Sequence, residues 1–195
     1  MGKIFYILGK SSTGKDTIYK NIRQIFKEKL KPVVLYTTRP IRDGEIQGIT
    51  YNFVTEEEYV NIKNQGRIIE ERSYDTIHGL WRYFTVQEND FSINNDNYIM
   101  IGVLSSYESI RDYYGCEKVF PIYIEVDDGI RLERALEREK KPENRKFTEM
   151  CRRFIADSED FSEDKIERAG INKRFINIDL NSCIKEITEY IRENI

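Results

Sequence analysis

Ile4-Phe5-Tyr6-Ile7-Leu8-Gly9-Lys10-Ser11-Ser12-Thr13-Gly14-Lys15-Asp16-Thr17 is the stretch that decides the fold. Residues 3–8 read as a buried strand ended by Gly9. Ile18, Ile22, Ile25, Phe26 and Leu30 then recur near helical spacing and predict a helix over 16–29. Between strand and helix, Gly9, Gly14 and Lys15 have the GxxxxGK spacing of a phosphate-binding P-loop. Ser11, Ser12 and Thr13 are small enough for successive backbone amides to turn toward phosphate oxygens. The helix adds its positive end, and Lys15 reaches the outer phosphates. The next position is Asp16, where the motif uses Ser or Thr to hold magnesium, and Thr17 stands one further on. Two readings of the metal site stay open: Asp16 acting through a water, or Thr17 acting as the substitute ligand.

Outward from the loop, strands and helices alternate. Strands are predicted over 33–36, 67–72, 97–103, 119–126 and 175–178, and helices over 56–65, 106–114, 129–139, 147–160 and 181–193. That order predicts an α/β three-layer sandwich, with a mostly parallel sheet and helices on both faces. The small elements within 37–96 read as an inserted subdomain, the part that the likeness drawn below assigns to acceptor (NMP) binding. Residues 140–145, containing Pro142 and Asn144, interrupt the helical pattern inside a mobile lid over 135–155. The core is left as 1–36, 97–134 and 156–195 of a single domain.

The 195 residues are 39% hydrophobic and carry a net charge of -3, which leaves no basic footprint for a nucleic-acid polymer. The apolar run at the N-terminus is too short for a signal peptide or membrane span, so a cytoplasmic location is expected. Cys116, Cys151 and Cys183 are far apart and without CxxC spacing, and the chain has one His, so neither a disulfide framework nor a metal cluster is expected. Asp127 and Asp128 suit a helix start, with Asp128 as the capping residue before Gly129. Oligomeric state is not legible.

A second phosphate site is written in Thr37-Thr38-Arg39-Pro40-Ile41-Arg42-Asp43-Gly44-Glu45, followed by Gly48 and Tyr51-Asn52-Phe53. Two arginines three residues apart offer planar forks, and Tyr51 a hydroxyl, to one phosphate. The alternative is that Arg39 and Arg42 pair with Asp43 and Glu45 on a solvated loop. Further along, Arg131, Arg134, Arg138, Arg152 and Arg153 flank the break at 140–145. Arg134 and Arg138, four apart, share a helical face from which a closing flap would bring them to the phosphates with Arg153. Glu133, Glu137 and Glu139 alternate with them, so a salt-bridged exposed helix is the competing reading.

The 37–53 segment resembles guanylate kinases, in which TTR, a second Arg three residues on, GE, a further Gly and YxF occur in this order. The likeness extends to the P-loop, to Ile69-Glu70, to the arginines between 134 and 153, and to Asn177-Ile178-Asp179-Leu180. It implies transfer of the ATP γ-phosphoryl group, with Mg2+, to GMP or another nucleoside monophosphate. By that resemblance Gly9, Ser11, Ser12, Thr13, Gly14, Lys15, Asp16 and Thr17 hold the ATP phosphates and metal, and Asn177 and Asp179 lie near adenine. Thr38, Arg39, Arg42 and Tyr51 take the acceptor phosphate, and Glu70 accepts from the guanine edge. Lys15, Arg134, Arg138 and Arg153 stabilise the transferring group.

The chain departs from the family in three places. Residues 99–103 carry none of the acids that family members have on this strand, and Tyr36 replaces a small hydroxyl residue. The 78–85 stretch does not align unambiguously with the family's Tyr-Gly-Ser/Thr pattern, so no base-contacting role is given to it. Trp81, Tyr83 and Phe84 are read as subdomain core with base stacking as the alternative, and His78 is read as structural. Two other functions therefore stay open: a kinase of a sugar phosphate such as ribose bisphosphate, and a non-catalytic module that binds a phosphorylated protein segment. The missing acids favour both. The retained Gly14, Lys15 and lid arginines oppose the module.

Overall fold

The computed structural model describes residues 2–76, 79–87, 93, 95–141 and 145–195; His78, Pro142 and Asn144 lie outside the described residues. In chain order the first half contains β1 (Ile4–Leu8), α1 (Lys15–Ile25), β2 (Leu30–Pro32), β3 (Tyr36–Thr37), β4 (Asn52–Phe53), α2 (Glu56–Asn64), β5 (Ile68–Thr76) and β6 (Gly79–Val86). Then follow β7 (Asn97–Gly102), α3 (Leu104–Tyr114), β8 (Val119–Glu125), α4 (Asp128–Glu139), α5 (Phe147–Asp160), α6 (Glu163–Arg168), β9 (Arg174–Ile176) and α7 (Leu180–Glu193).

The larger sheet is parallel throughout, in the order β2-β7-β1-β8-β9, with β1 at its centre. Every residue of β1 is buried because the strand is covered on both faces. Ile4, Tyr6 and Leu8 point into one core with Leu104, Tyr107 and Ile110 of α3. Phe5 and Ile7 point into the other, with Ile18 and Ile22 of α1 and Ile187 and Ile191 of α7. This is the expected α/β sandwich. A second, four-stranded sheet, β4-β3-β6-β5, has its own small core of Tyr59, Phe84 and Val86.

The strand predicted over 33–36 does not form as one piece. β2 ends at Pro32, the chain leaves the large sheet after Val33 donates to the Ile99 carbonyl at 3.1 Å, and β3 begins in the small sheet at Tyr36. Hydrophobicity marks these residues as buried but does not say that they change sheets. The strand over 79–86 was not predicted. Burial rises along it from the exposed Gly79 and Leu80 to the buried Phe84, Thr85 and Val86, with no alternation, and pairing with β5 over almost its whole length makes it a strand. The helix at Glu163–Arg168 was likewise not predicted, because only Ile166 anchors it in the core.

Local capping follows simple chemistry. Thr55 and Glu58 form a reciprocal capping box at the start of α2, an arrangement that contributes about 1 kcal/mol. At α4 the cap is Asp127, not Asp128. The Asp127 carboxylate accepts from the Gly129 and Ile130 amides, which frees Asp128 to pair with Lys10 and Arg131. Among the described residues, no helix is long and apolar enough to cross a membrane.

Candidate active site

The loop after β1 is held open by its own geometry. Gly14, at the start of α1, has φ 87°, and a Cβ there would lie 2.5 Å from Asn177 Nδ2. Ser12 also adopts a left-handed φ of 63°, a conformation that costs about 1 kcal/mol or more and turns the chain sharply enough to curl the loop. Thr13 Oγ1 donates to the Lys10 carbonyl at 2.9 Å, and Asn177 Nδ2 donates to the Thr13 carbonyl at 2.7 Å. Asn177 is therefore a buried strut under the loop, and its Oδ1 has no partner among the described residues. Asp179, two residues on, caps α7 through the Ser182 amide. Gly14→Ala is expected to add about 1–3 kcal/mol of backbone strain and push Asn177 away. Calorimetric titration with an ATP analogue should show affinity lowered tenfold or more.

Lys15 is half-buried at the first turn of α1, and it forms no ion pair with any described residue. Burial, opposed by the charge of Asp16 and reinforced by that of Arg153, pulls its pKa below the ordinary lysine range. A bound phosphate would restore the protonated form. Affinity for ATP is thus expected to fall as pH rises through the depressed value, beginning below the range in which an exposed lysine titrates. Titrations across alkaline pH, with Lys15→Met as the control, would register this dependence. Asp16 and Thr17 are exposed beside it.

Three arginines approach the loop from α4 and α5. Arg153 Nη2 donates to Ser11 Oγ at 2.9 Å, and Arg138 and Arg153 line a small cavity with Ser11 and Ser12. The third is Arg131, which sequence reading named only as a neighbour of the break. It is fully buried, donates through Nε to the Ser11 carbonyl at 3.2 Å, pairs with Asp128 at 3.0 Å and lies over the Phe154 ring. Its i,i+3 spacing from Asp128 was a usable signal, but its burial was not. Arg134 lies elsewhere on α4 and donates to the Asn177 carbonyl at 2.9 Å. Asp157 of α5 completes the clamp by accepting from the Ser11 amide at 2.7 Å. Asp157→Asn exchanges a charged acceptor for a neutral one and should cost about 2 kcal/mol in urea denaturation.

A cleft of about 370 Å3 beside the loop is lined by Lys10, Thr13, Glu125, Asp127, Ile176 and Ile178. Ile176 and Ile178 are 48% and 68% exposed, an apolar edge flanking the buried Asn177.

In the second sheet, Arg39 is buried and its guanidinium makes four hydrogen bonds, one of them to the Pro40 carbonyl, which leaves one Nη2 proton for a ligand. Nη1 and Nη2 form a two-point pair with Glu45 at 2.9 and 2.8 Å, and Nε donates to the Tyr83 hydroxyl at 3.1 Å. The expected alternative of a solvated ion pair is half right: the pair exists but is not solvated. Arg42 is exposed and lies over Trp81, 5.5 Å from the ring centroid. Tyr51 packs edge-on to Tyr83; burial raises its phenol pKa, while Arg39 and Arg72 oppose that rise. Thr38 uses its hydroxyl to accept from the Arg82 amide, which ties the segment to β6.

Glu70 is buried on β5 and accepts from Thr85 Oγ1 at 2.9 Å and from Arg72 Nε at 3.2 Å. Its register partner is Thr85. The antiparallel pairing sets Thr85, Phe84 and Tyr83 of β6 opposite Glu70, Glu71 and Arg72 of β5, and Tyr83 accepts from Arg39. Phe84 is buried and stacks on Tyr36. Glu71, the other acid of the pair, faces Tyr59, Lys63 and Arg82 instead.

The guanylate kinase family model matches residues 1–103, which include the phosphate loop, both arginines of the second sheet and β7. Guanylate kinases of Legionella pneumophila and Mycoplasma genitalium are 33% and 39% identical over 69 and 74 residues, covering 35% and 38% of this chain. These alignments span only about a third of the relatives' own length, 32% and 31%. A ribose 1,5-bisphosphate phosphokinase of Pectobacterium atrosepticum is 28% identical over 153 residues, 78% of this chain and 77% of that protein. The crystal structure of guanylate kinase from Anaplasma phagocytophilum superposes with a TM-score of 0.64 at 19% identity, over 98% of this chain and 85% of that one, a likeness of fold. With more than half of its residues matched by the family model, this chain belongs to the guanylate kinase family.

Proposed function

We propose that this chain transfers the γ-phosphoryl group of ATP to a nucleoside monophosphate, GMP or a close relative. One observation carries the reading: a P-loop whose lysine has no ion-pair partner among the described residues and a second sheet that brings Arg39, Tyr51 and Tyr83 together occur on one chain, two phosphate grips of different construction. The loop amides and Lys15 hold the ATP phosphates. Arg138 and Arg153 neutralise charge on the transferring group, which is most of what a protein contributes to this chemistry. Arg134, tied to the Asn177 carbonyl, and the apolar edge at Ile176 and Ile178 lie toward the adenine.

Arg39, Arg42 and Tyr51 take the acceptor phosphate, with Thr38 fixing the segment to β6. Closure of residues 37–96 and of the lid over 135–155 excludes water and suppresses hydrolysis of ATP. The exposed oxygens of Asp16 and Thr17 next to Lys15 suit magnesium, which keeps much of its water and takes few protein ligands. When bound, the ion offsets phosphate charge. The protein acts in the cytoplasm on small molecules, not on a nucleic-acid polymer or a membrane.

The test is ADP release from ATP and magnesium in the presence of GMP, AMP, UMP, CMP or ribose 1,5-bisphosphate. Acceptor-dependent ADP release with a nucleoside monophosphate is expected, and no release with any acceptor would sink the reading. A second reading, a sugar phosphate as acceptor, is favoured by the alignment with the Pectobacterium phosphokinase and by the absence of an acid at Met100 and Gly102.

A further inference from the structure

Lys10 and Ser11, neighbours in the phosphate loop, are the two ends of a ring of charges closed through α4 and α5. Lys10 Nζ pairs with Asp128 at 3.3 Å, and the same carboxylate oxygen accepts from Arg131 Nη1 at 3.0 Å. Arg131 Nη2 pairs with Asp157 at 3.6 Å, and that Asp157 oxygen accepts from the Ser11 amide at 2.7 Å. Arg131, at the centre, is fully buried, and its Nε crosses the ring to the Ser11 carbonyl at 3.2 Å. Arg153 donates to the Ser11 hydroxyl at 2.9 Å, so the amide, carbonyl and hydroxyl of one loop residue are all held by side chains of the two helices.

The effect falls on Ser12, which lies between two pinned residues. On one side the Ser11 carbonyl is fixed by Arg131. On the other, Thr13 is fixed through its hydroxyl to the Lys10 carbonyl and through its own carbonyl to Asn177. The Ser12 φ of 63° is a conformation that a residue other than glycine keeps only where its surroundings over-determine it. Its side chain offers no compensation, since the buried hydroxyl has no hydrogen-bond partner among the described residues. Released from its neighbours, Ser12 would relax to a negative φ and turn the adjoining amides away from a common focus, and a phosphate would lose its nest of donors.

We propose that Asp128, Arg131 and Asp157 are positioning residues: their ring keeps the Ser12 backbone left-handed, and so keeps the loop amides aligned for a polyphosphate before one arrives. Two acids beside the loop run against simple electrostatics, because a carboxylate repels a polyphosphate. Removing either acid is therefore the discriminating change: relief of repulsion would tighten binding, whereas loss of a prepared loop weakens it. The inference rests on the kinase reading only in taking the polyphosphate to be that of ATP.

Calorimetric titration of the full chain with a non-hydrolysable ATP analogue and with tripolyphosphate tests it, with turnover measured in parallel. Asp128→Ala, at a half-exposed side chain, should weaken both ligands about threefold, and Asp157→Ala about tenfold, the loss expected when the competent loop falls to about a tenth of the population. In a Ser12→Gly background, where a positive φ carries no strain, each loss should shrink below about twofold or become a gain. If Asp157→Ala does not fold, Asp128→Ala in the two backgrounds still decides. Either acid variant binding as tightly as wild type, a loss of equal size in both backgrounds, a loss confined to the ATP analogue, or no binding of either ligand by wild type overturns the proposal. Losses that depend on Ser12, in a protein that turns over no acceptor, uphold the positioning role and count against the kinase reading alone.

Discussion

Lys15→Met is expected to lower phosphoryl-transfer turnover about 10²–10³-fold without unfolding the protein. The ammonium stands at the start of α1 with no ion-pair partner among the described residues, so nothing else in the loop can replace its charge toward a phosphate. The stability change has the opposite sign. Burial depresses the folded-state pKa of Lys15, so the charged side chain disfavours the fold at neutral pH, and that cost is relieved only as pH climbs from the depressed value toward the ordinary lysine range. Met should leave the melting temperature unchanged or somewhat higher. Scanning fluorimetry beside the activity assay separates the two effects: a melting temperature several degrees lower would mean that Lys15 supports the fold.

Arg39→Ala should have the second large effect, and here binding and stability fall together. The guanidinium makes a two-point pair with Glu45 and a bond to Tyr83 while 3% exposed, so its removal leaves the Glu45 carboxylate with no counter-charge and only the Arg42 amide as donor, at a cost of about 3 kcal/mol. Acceptor kcat/KM should fall about 10²-fold, the scale expected when one charged donor to a transferring phosphate is lost. Arg39→Ala with Glu45→Gln should recover much of the stability and none of the acceptor binding. Arg39→Lys should fail on both counts, since a point charge cannot reproduce the fork. The Arg39 bonds also hold the Glu45 carboxyl below the usual range. Its stabilising contribution is therefore present at neutral pH and is lost on acidification through the depressed value, a pH dependence that Glu45→Gln should lack. Acceptor KM unchanged in Arg39→Ala would remove Arg39 from the phosphate grip.

The P-loop was legible because its chemistry is local. Gly14, Lys15 and a strand-loop-helix order within 25 residues need no distant partner to be recognised. The Arg39–Arg42 pair was legible for the same reason. Arg131 and Asp157 were not, because their importance lies in contacts with Ser11 across 120 and 146 residues of chain, and no spacing encodes that meeting. Asp128 was mistaken for the cap because both acids suit a helix start, and only the backbone direction after Val126 makes Asp127 the acceptor. The strand at Gly79–Val86 escaped because its residues show no two-residue alternation, and its register opposite Glu70 comes from β5 rather than from its own sequence.

By itself the sequence determined the α/β sandwich, a glycine-lysine loop between its first strand and helix, and two arginines three residues apart, since these depend on periodicity and on side-chain type at short spacing. The tertiary structure alone decided what surrounds them. It buried Arg39 against Glu45 with Tyr83 beside it, set Thr85 on Glu70, stacked Tyr36 on Phe84, and brought Tyr6 from β1 over Gly102. Hydrogen-bond saturation and burial are properties of groups brought together from distant strands, and they exist only once those strands have packed.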